Sequence, residues 1–532
     1  MHTLSSTPSR LERKLGDTEA SYFLPSRENG VNDMYVFTVP LPLRRVYLHL
    51  GFRASAFLMN RQSIALVWSI LRIRHPLLAS SVEMHDYEDV RFVYAPPSSP
   101  EDALKLAELN LEYRTQTKDE LLHSYLNGPR TLSSNRLSYL ILSQSETKEV
   151  TSDSDSDSGS ESSSTTTETA KDLSEYDLLI CATHFLGDGM ALHSFANEFF
   201  SLLCSSDVKG LQDILSFEWQ EQCYSRASDS LLPLPMEERL PESPSNLHRL
   251  ASRVDFLNSQ DKLIGGQAFP KKKSPERETV VPTVSFDEER TKKILKACKA
   301  HGVSISSALF AICNIAWAKT SGVKWELPMM MYSALNLRPY LSSPSRQLSD
   351  SYWFISIGYF NVILPTFIPK DDLTKTFWHR ARSAKDQSSA AVKHPMLISR
   401  SRVMAQERGA RARIWAKEDD EKAQGIWKPA QVTADSGSKP APSSPRAPST
   451  ALIGLSLLGN LDGIYKHARY ADITLHTLTT GSRQRPGGML LFGYTFVGKL
   501  CVSLGYDKNG FKDGVVEQFW DNTLQCIDEL LV

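Results

Sequence analysis

The chain lacks paired cysteines, an excess of charge of either sign, and any apolar run long enough to cross a membrane. Each absence removes a class of protein. The seven cysteines stand singly at positions 181, 204, 223, 298, 313, 501 and 526. An odd number without short paired spacings makes neither a disulfide framework nor a zinc site. Cys181 in an apolar strand and Cys313 in an apolar helical run read as small core residues. Reduced thiols fit a cytoplasmic protein. The 60 basic and 61 acidic side chains leave a net charge of -1, which gives no electrostatic footprint for nucleic acid. No run approaches the ~20 apolar residues of a membrane helix, so no integral membrane segment is expected. Met1 to Lys14 is polar without an apolar centre, and a secretory signal is not expected there. A Gly-rich phosphate loop of Walker type is also missing, which removes ATP-dependent chemistry.

What remains is an ordinary globular balance, 41% hydrophobic and 23% charged, over 532 residues. That length exceeds what one hydrophobic core usually serves, so two domains with insertions are expected. Three stretches interrupt the apolar patterning. Residues 143–171 are dominated by Ser, Thr, Asp and Glu, have almost nothing to bury, and are expected to form a disordered insertion. Residues 228–282 are rich in Pro, Ser and charge, include Lys271, Lys272 and Lys273, and read as a crossover linker. Residues 417–448 read as a loop. An N-terminal unit over 1–227 and a C-terminal unit over 283–532 follow, with no repeat of solenoid period.

Between these stretches helices and strands alternate. Ile64 onward reads as a helix that proline stops after His75. Tyr176 to Thr183 is an apolar run of strand length, and Leu192, Phe195, Phe199, Leu202 and Leu203 then recur at helical spacing. Asp287, Glu288 and Glu289 suit the first turn of a helix that Gly302 ends. Ser304 caps a further helix, apolar on most faces, that runs to Lys319. Strands are expected over 328–333, 353–364, 452–458, 489–496 and 499–506. The fold class is therefore mixed α/β, in two halves.

His184-Phe185-Leu186-Gly187-Asp188-Gly189 lies in the strand-to-helix turn. Acyl transfer from a thioester to an alcohol needs a base for the hydroxyl proton, donors for the developing oxyanion, and aligned reactants. Histidine suits the first task, since its unperturbed pKa is near ~6.5. Gly187 and Gly189 are expected to allow backbone conformations closed to other residues and to leave room for substrate. Asp188 can orient the turn by a salt bridge or by hydrogen bonds to backbone.

The segment matches the His-x-x-x-Asp-Gly of the acyltransferase superfamily that includes chloramphenicol acetyltransferase, BAHD acyltransferases, fungal trichothecene O-acetyltransferases and peptide-synthetase condensation domains. Arg74-His75-Pro76-Leu77-Leu78 resembles the segment closing the first helix in many members. Ser333-Ala-Leu-Asn336-Leu-Arg338-Pro339 resembles their Asn-x-Arg element. Gly358-Tyr-Phe-Asn361 is similar to the condensation-domain Gly-x-Phe-x-Asn strand, and Ser456-Leu-Leu-Gly459-Asn460 to the later Ser-Asn-x-Gly element. The order of these elements also agrees, from Arg74 to Asn460.

The resemblance implies two chloramphenicol-acetyltransferase-like subdomains in a pseudo-dimer, with a channel in which acyl-CoA meets an acceptor at His184. It implies His184 as general base and Asp188 as a structural group paired with Arg338. Gly187, Gly189 and Asn336 are structural at the site, and Ser456 and Thr183 are assigned to the oxyanion or substrate channel. No tightly bound cofactor and no metal are expected. Acetyl-CoA is the expected co-substrate, a small hydrophobic alcohol or amine the acceptor, and the acting species a monomer in secondary or glycolipid metabolism. Two departures narrow the kind of member. Thr183 stands where condensation domains carry a second histidine, and the Asp-Phe-Gly-Trp-Gly of plant BAHD enzymes is missing, the nearest fragment being Asn460-Leu-Asp462-Gly463.

Other readings are weaker. Gly454-Leu-Ser456-Leu-Leu-Gly459 has one residue too many for the Gly-x-Ser-x-Gly elbow of a serine hydrolase. His184 and Asp188 have no third metal ligand nearby. His193 and His75 read as a packed residue and a helix end, and His467 and His476 receive no role. Two alternatives of other classes stay open: a catalytically silent binding module of acyltransferase shape, and a condensation enzyme served by a carrier protein.

Overall fold

The computed structural model describes residues 10–27, 45–145, 173–224, 232–320, 323–342, 351–370, 372–428, 448–470 and 472–532. Most of the acidic Ser/Thr stretch and of the loop before Ser449 therefore lies outside the described residues. Two large sheets form the frame. The first has five strands in the order Ile473–Ser482, Arg45–Ser55, Leu173–Thr183, Ser138–Ser143 and Leu111–Arg114. The second has seven: Ile357–Leu364, Met329–Asn336, Ala451–Asn460, Met489–Phe496, Lys499–Asp507 and Thr279–Val280 in line, with Thr283–Phe286 also beside Lys499–Asp507. A third, small sheet joins Leu11–Lys14, Val90–Tyr94 and Ser81–Met84.

The local readings translate into elements where their causes are local. The helix Arg61–Arg74 ends at His75, and Pro76 follows in a tighter turn. Asp287 caps Glu288–Ala300 through the amide of Arg290, and Gly302 after it has φ +67°. The Ser304 hydroxyl accepts from the Ser307 amide and opens Ile305–Ala318, a helix buried almost all round. None of the seven cysteines forms a disulfide, and Cys181 and Cys313 are buried.

The covalent halves and the sheets do not coincide. Strand Ile473–Ser482 pairs antiparallel with Arg45–Ser55, from Ile473 opposite Ala54 to Ser482 opposite Val46, and so completes the first sheet from the far end of the chain. The expected 283–532 unit thus lends a strand to the other sheet. Pro- and Ser-rich residues 228–282 hold a 16-residue helix, Asn246–Asp261, and the expected loop from 417 is helical to Ala423 at the end of Leu397–Ala423. Composition hid both helices, because polar outward faces resemble loops when read without their packing partner.

The strand expected from Trp353 begins only at Ile357. The backbone just before it is engaged elsewhere. The carbonyls of Tyr352 and Phe354 accept from Arg338, and the Ser356 amide donates to Asp188. Groups that would have joined the ladder are bonded to the site.

Among the described residues no single helix is long and apolar enough to cross a membrane. No group of three or more His, Cys, Asp or Glu among them is placed to hold a metal ion.

Candidate active site

Strand Leu173–Thr183 runs through the middle of the first sheet, buried from Leu178 to Thr183. It delivers His184 into a short turn, after which Gly189–Leu203 begins. Asp188 is the cap of that helix: its Oδ1 accepts from the amides of Met190 and Ala191, two of the donors a helix start leaves unpaired.

Asp188 is only 2% exposed and needs further partners. Arg338 Nη1 donates to Oδ1 at 2.7 Å and Oδ2 at 2.6 Å, and the Ser356 amide donates to Oδ2 at 2.9 Å. The other arm of Arg338, Nη2, reaches the carbonyls of Tyr352 and Phe354. With both oxygens committed, the carboxylate joins the two halves of the chain and has no bond to His184. Asn336 Oδ1 accepts from the Arg338 amide and steadies the turn that carries the guanidinium.

His184 is buried. Its Nδ1 lies 3.2 Å from the Gly187 carbonyl, which can only accept, so Nδ1 carries the proton and Nε2 of the neutral ring is the basic nitrogen. Burial holds the imidazole below the usual histidine range. The nearby Asp188 charge raises it less than desolvation lowers it, and Arg408 lowers it further.

A cavity of about 260 Å³ lies between the halves at this point. His184, Asp188, Gly189, Asn336, Arg338 and Ser456 all line it, together with an apolar wall that includes Leu335, Ile357 and Phe492. Two expected site residues do not line it. Thr183, the last residue of the strand, is buried with its hydroxyl unpartnered. Gly187 lies in the turn itself, against Trp353 and Ala191.

Neither Gly187 nor Gly189 has the left-handed backbone expected of them. At Gly187 the need for hydrogen is steric. A Cβ on Gly187 would stand 2.8 Å from the Trp353 ring and 3.1 Å from Ala191 Cβ, whereas one on Gly189 would meet Leu458 at an ordinary 3.5 Å. Gly187→Ala is accordingly expected to lower stability by about 1–3 kcal/mol through overpacking against a fully buried indole. Gly189→Ala should change it far less. Equal melting temperatures for the two variants would contradict that order.

Gly459 is the position where backbone freedom matters: φ is +75° at a bulge in Ala451–Asn460. Ser456 sits inside that strand, opposite Phe492, and not at a strand–helix elbow.

Some residues at the site escaped the sequence reading. His75 closes its helix as expected but also bonds Glu198 and Ser351 through its two ring nitrogens. Tyr352 donates to the same carboxylate and Arg74 to its other oxygen. Burial would raise Glu198, but these hydrogen bonds and the His75 charge prevail and hold it at about 2. The network fixes the 351–356 segment whose carbonyls receive Arg338. Arg74-His75-Pro76 was the only local signal for it. Tyr22, Tyr332, Tyr359 and Arg408 gather around His184 from four other elements and had no local signal. His193 is packed, bonded to the Tyr465 hydroxyl and pushed by burial to about 3.

The mixed α/β fold, with a cavity between its halves, is shared with solved structures of an acetyltransferase and of condensation domains. Among solved structures, the TRI3 trichothecene 15-O-acetyltransferase from Fusarium sporotrichioides matches with a TM-score of 0.68 at 14% identity, over 98% of this chain and 96% of that one. The first condensation domain of the CDA synthetase matches at 0.58 and 10% identity, over 99% and 97%. Polyketide synthase associated protein 5 from Mycobacterium tuberculosis matches at 0.54 and 12%, over 97% of each chain. At these identities the likeness is one of fold. No protein-family model matches the sequence, and no curated relative matches it either.

Proposed function

We propose that this protein transfers an acyl group, acetyl in the simplest case, from CoA to the hydroxyl of a hydrophobic small molecule, with His184 as general base. One observation carries the reading: the Gly187 carbonyl holds the proton on Nδ1 and leaves Nε2 as the base of a buried ring on the cavity wall. Nε2 takes the proton of the acceptor hydroxyl as its oxygen attacks the thioester carbonyl. The tetrahedral species then expels the thiolate, which recovers the proton from His184. No covalent enzyme intermediate is required. Asp188 and Arg338 serve as structure, since their hydrogen bonds run to each other and to backbone. The apolar wall favours an acceptor with little charge. Acetyl donor and hydroxyl acceptor are also the chemistry named for the TRI3 enzyme.

Incubation with labelled acetyl-CoA tests the reading without a known acceptor, because slow hydrolysis requires the base and an accessible cavity. Label released by the wild type and not by His184→Ala is the expected result. Equal release from both would leave a silent binding module as the better account, and activity confined to carrier-bound thioesters would indicate condensation. The acceptor can then be sought by comparing metabolites in extracts with and without the enzyme, looking for a mass difference of one acyl group.

A further inference from the structure

Helix Leu397–Ala423 buries Arg408, which is 8% exposed, against helix Asp17–Phe23. Among the described residues this guanidinium forms no ion pair with a carboxylate. Nη2 donates to the Ser21 hydroxyl, and Nε is buried without a hydrogen-bond partner. Its carbon lies instead 5.1 Å from the ring centre of Tyr22 and 4.7 Å from that of Tyr359. A buried cation without a counter-charge is costly, and cation–π contacts offset only part of that cost.

What the cation faces explains its place. The hydroxyls of Tyr22 and Tyr359 are hydrogen-bonded to each other. The Tyr22 ring packs 4.5 Å from the His184 ring, and Tyr359 lines the same cavity as His184. Two hydroxyls supply two hydrogens, and their mutual bond uses one. Tyr22 is enclosed and Tyr359 borders the cavity, so the arrangement that leaves no hydrogen buried has Tyr22 donating to Tyr359 and Tyr359 donating into the cavity. A neighbouring positive charge strengthens both donors.

We propose that Tyr359 is a catalytic hydrogen-bond donor for the oxyanion formed in acyl transfer, and that Arg408 is the positioning residue that polarises it through the tyrosine pair. The proposal rests on the general-base reading of His184. Attack of the acceptor oxygen makes a new C–O bond and places the carbonyl electron pair on oxygen, where the Tyr359 hydroxyl meets it. The acceptor proton moves to His184. Collapse restores the carbonyl, breaks the C–S bond, and returns that proton to sulfur. The guanidinium has a second effect on the same ring, since it disfavours imidazolium at His184. The other groups around that ring are Tyr22, the Asp188–Arg338 pair, and Tyr332 and Tyr359 on the cavity wall.

Thiol release from acetyl-CoA, with water as acceptor, provides the rate measurement, and NMR of histidine-labelled protein provides the titration, with the His184 signal assigned by its loss in His184→Ala. Tyr359→Phe is expected to lower kcat about 10²-fold with KM little changed and the fold retained, although the melting temperature falls somewhat because the buried Tyr22 hydroxyl loses its acceptor. Arg408→Met is expected to lower kcat and to move the His184 midpoint up, since a nearby cation has gone. Arg408→Lys keeps the charge and should restore most of both, which a merely structural arginine would not do. Tyr359→Phe at wild-type kcat overturns the donor role. A His184 midpoint unmoved in Arg408→Met overturns the electrostatic role, and if the methionine variant does not fold, a folded Arg408→Lys variant whose kcat is not restored overturns it instead. Thiol release that does not depend on His184 marks failure of the underlying function instead.

Discussion

His184→Ala is expected to lower acyl transfer by about 10²–10⁴-fold, the range a positioned general base contributes, while leaving the fold intact. The geometry sets both halves of that expectation. The imidazole makes a hydrogen bond to the Gly187 carbonyl but bears no ion pair, so its removal does not strand a buried charge. The base works only when unprotonated. Burial lowers its folded pKa below the free value, so the acid limb of kcat/KM should have its midpoint below ~6.5 and activity should persist to lower pH than an exposed histidine allows. A variant that retains wild-type turnover would falsify the assignment. An acid limb well above ~6.5 would show that the group seen in the profile is not a buried, desolvated imidazole.

Breaking the Asp188–Arg338 pair should have the largest effect on stability. The Asp188 side chain is 3% exposed and that of Arg338 19%, so solvent screens the pair little. Asp188→Ala strands the guanidinium, removes the helix cap and frees the Ser356 amide. A loss of about 3–5 kcal/mol is expected from the pair. That is a large part of the ~5–15 kcal/mol typical of a folded protein. Arg338→Met should cost a similar amount. The double variant should cost less than the sum, because the second change removes a group that has already lost its partner. Chemical denaturation of the four proteins measures this, and additive losses or an unaltered Asp188→Ala curve would contradict the linked role. Turnover should fall as well, since the turn that presents His184 is held by the same carboxylate.

The two predictions differ in how their residues became visible. His184 stands on a strand–turn–helix whose signals lie within about twenty residues: an apolar run, a turn, then apolar positions at helical spacing. The pairing of Asp188 with Arg338 spans 150 positions. It was proposed through resemblance and order of motifs, because no local pattern joins the two. Gly187 was expected for its backbone freedom and proves to be needed for the space that Trp353 occupies. The need could not be read locally, since the indole arrives from a segment 166 positions away.

The sequence by itself therefore determined the mixed α/β character, the caps at Asp287 and Ser304, the helix stop at His75-Pro76 and the turn that carries His184. These follow from periodicity and hydrogen bonding within a turn or two of chain, which neighbouring residues fully specify. Only the tertiary structure decided that Ile473–Ser482 completes the first sheet, that the 351–356 backbone serves Arg338 rather than a strand, and that Arg408, Tyr22 and Tyr359 meet beside His184. Sheet order and the burial of a polar group depend on which distant surfaces come together, and residue spacing along the chain does not encode that choice.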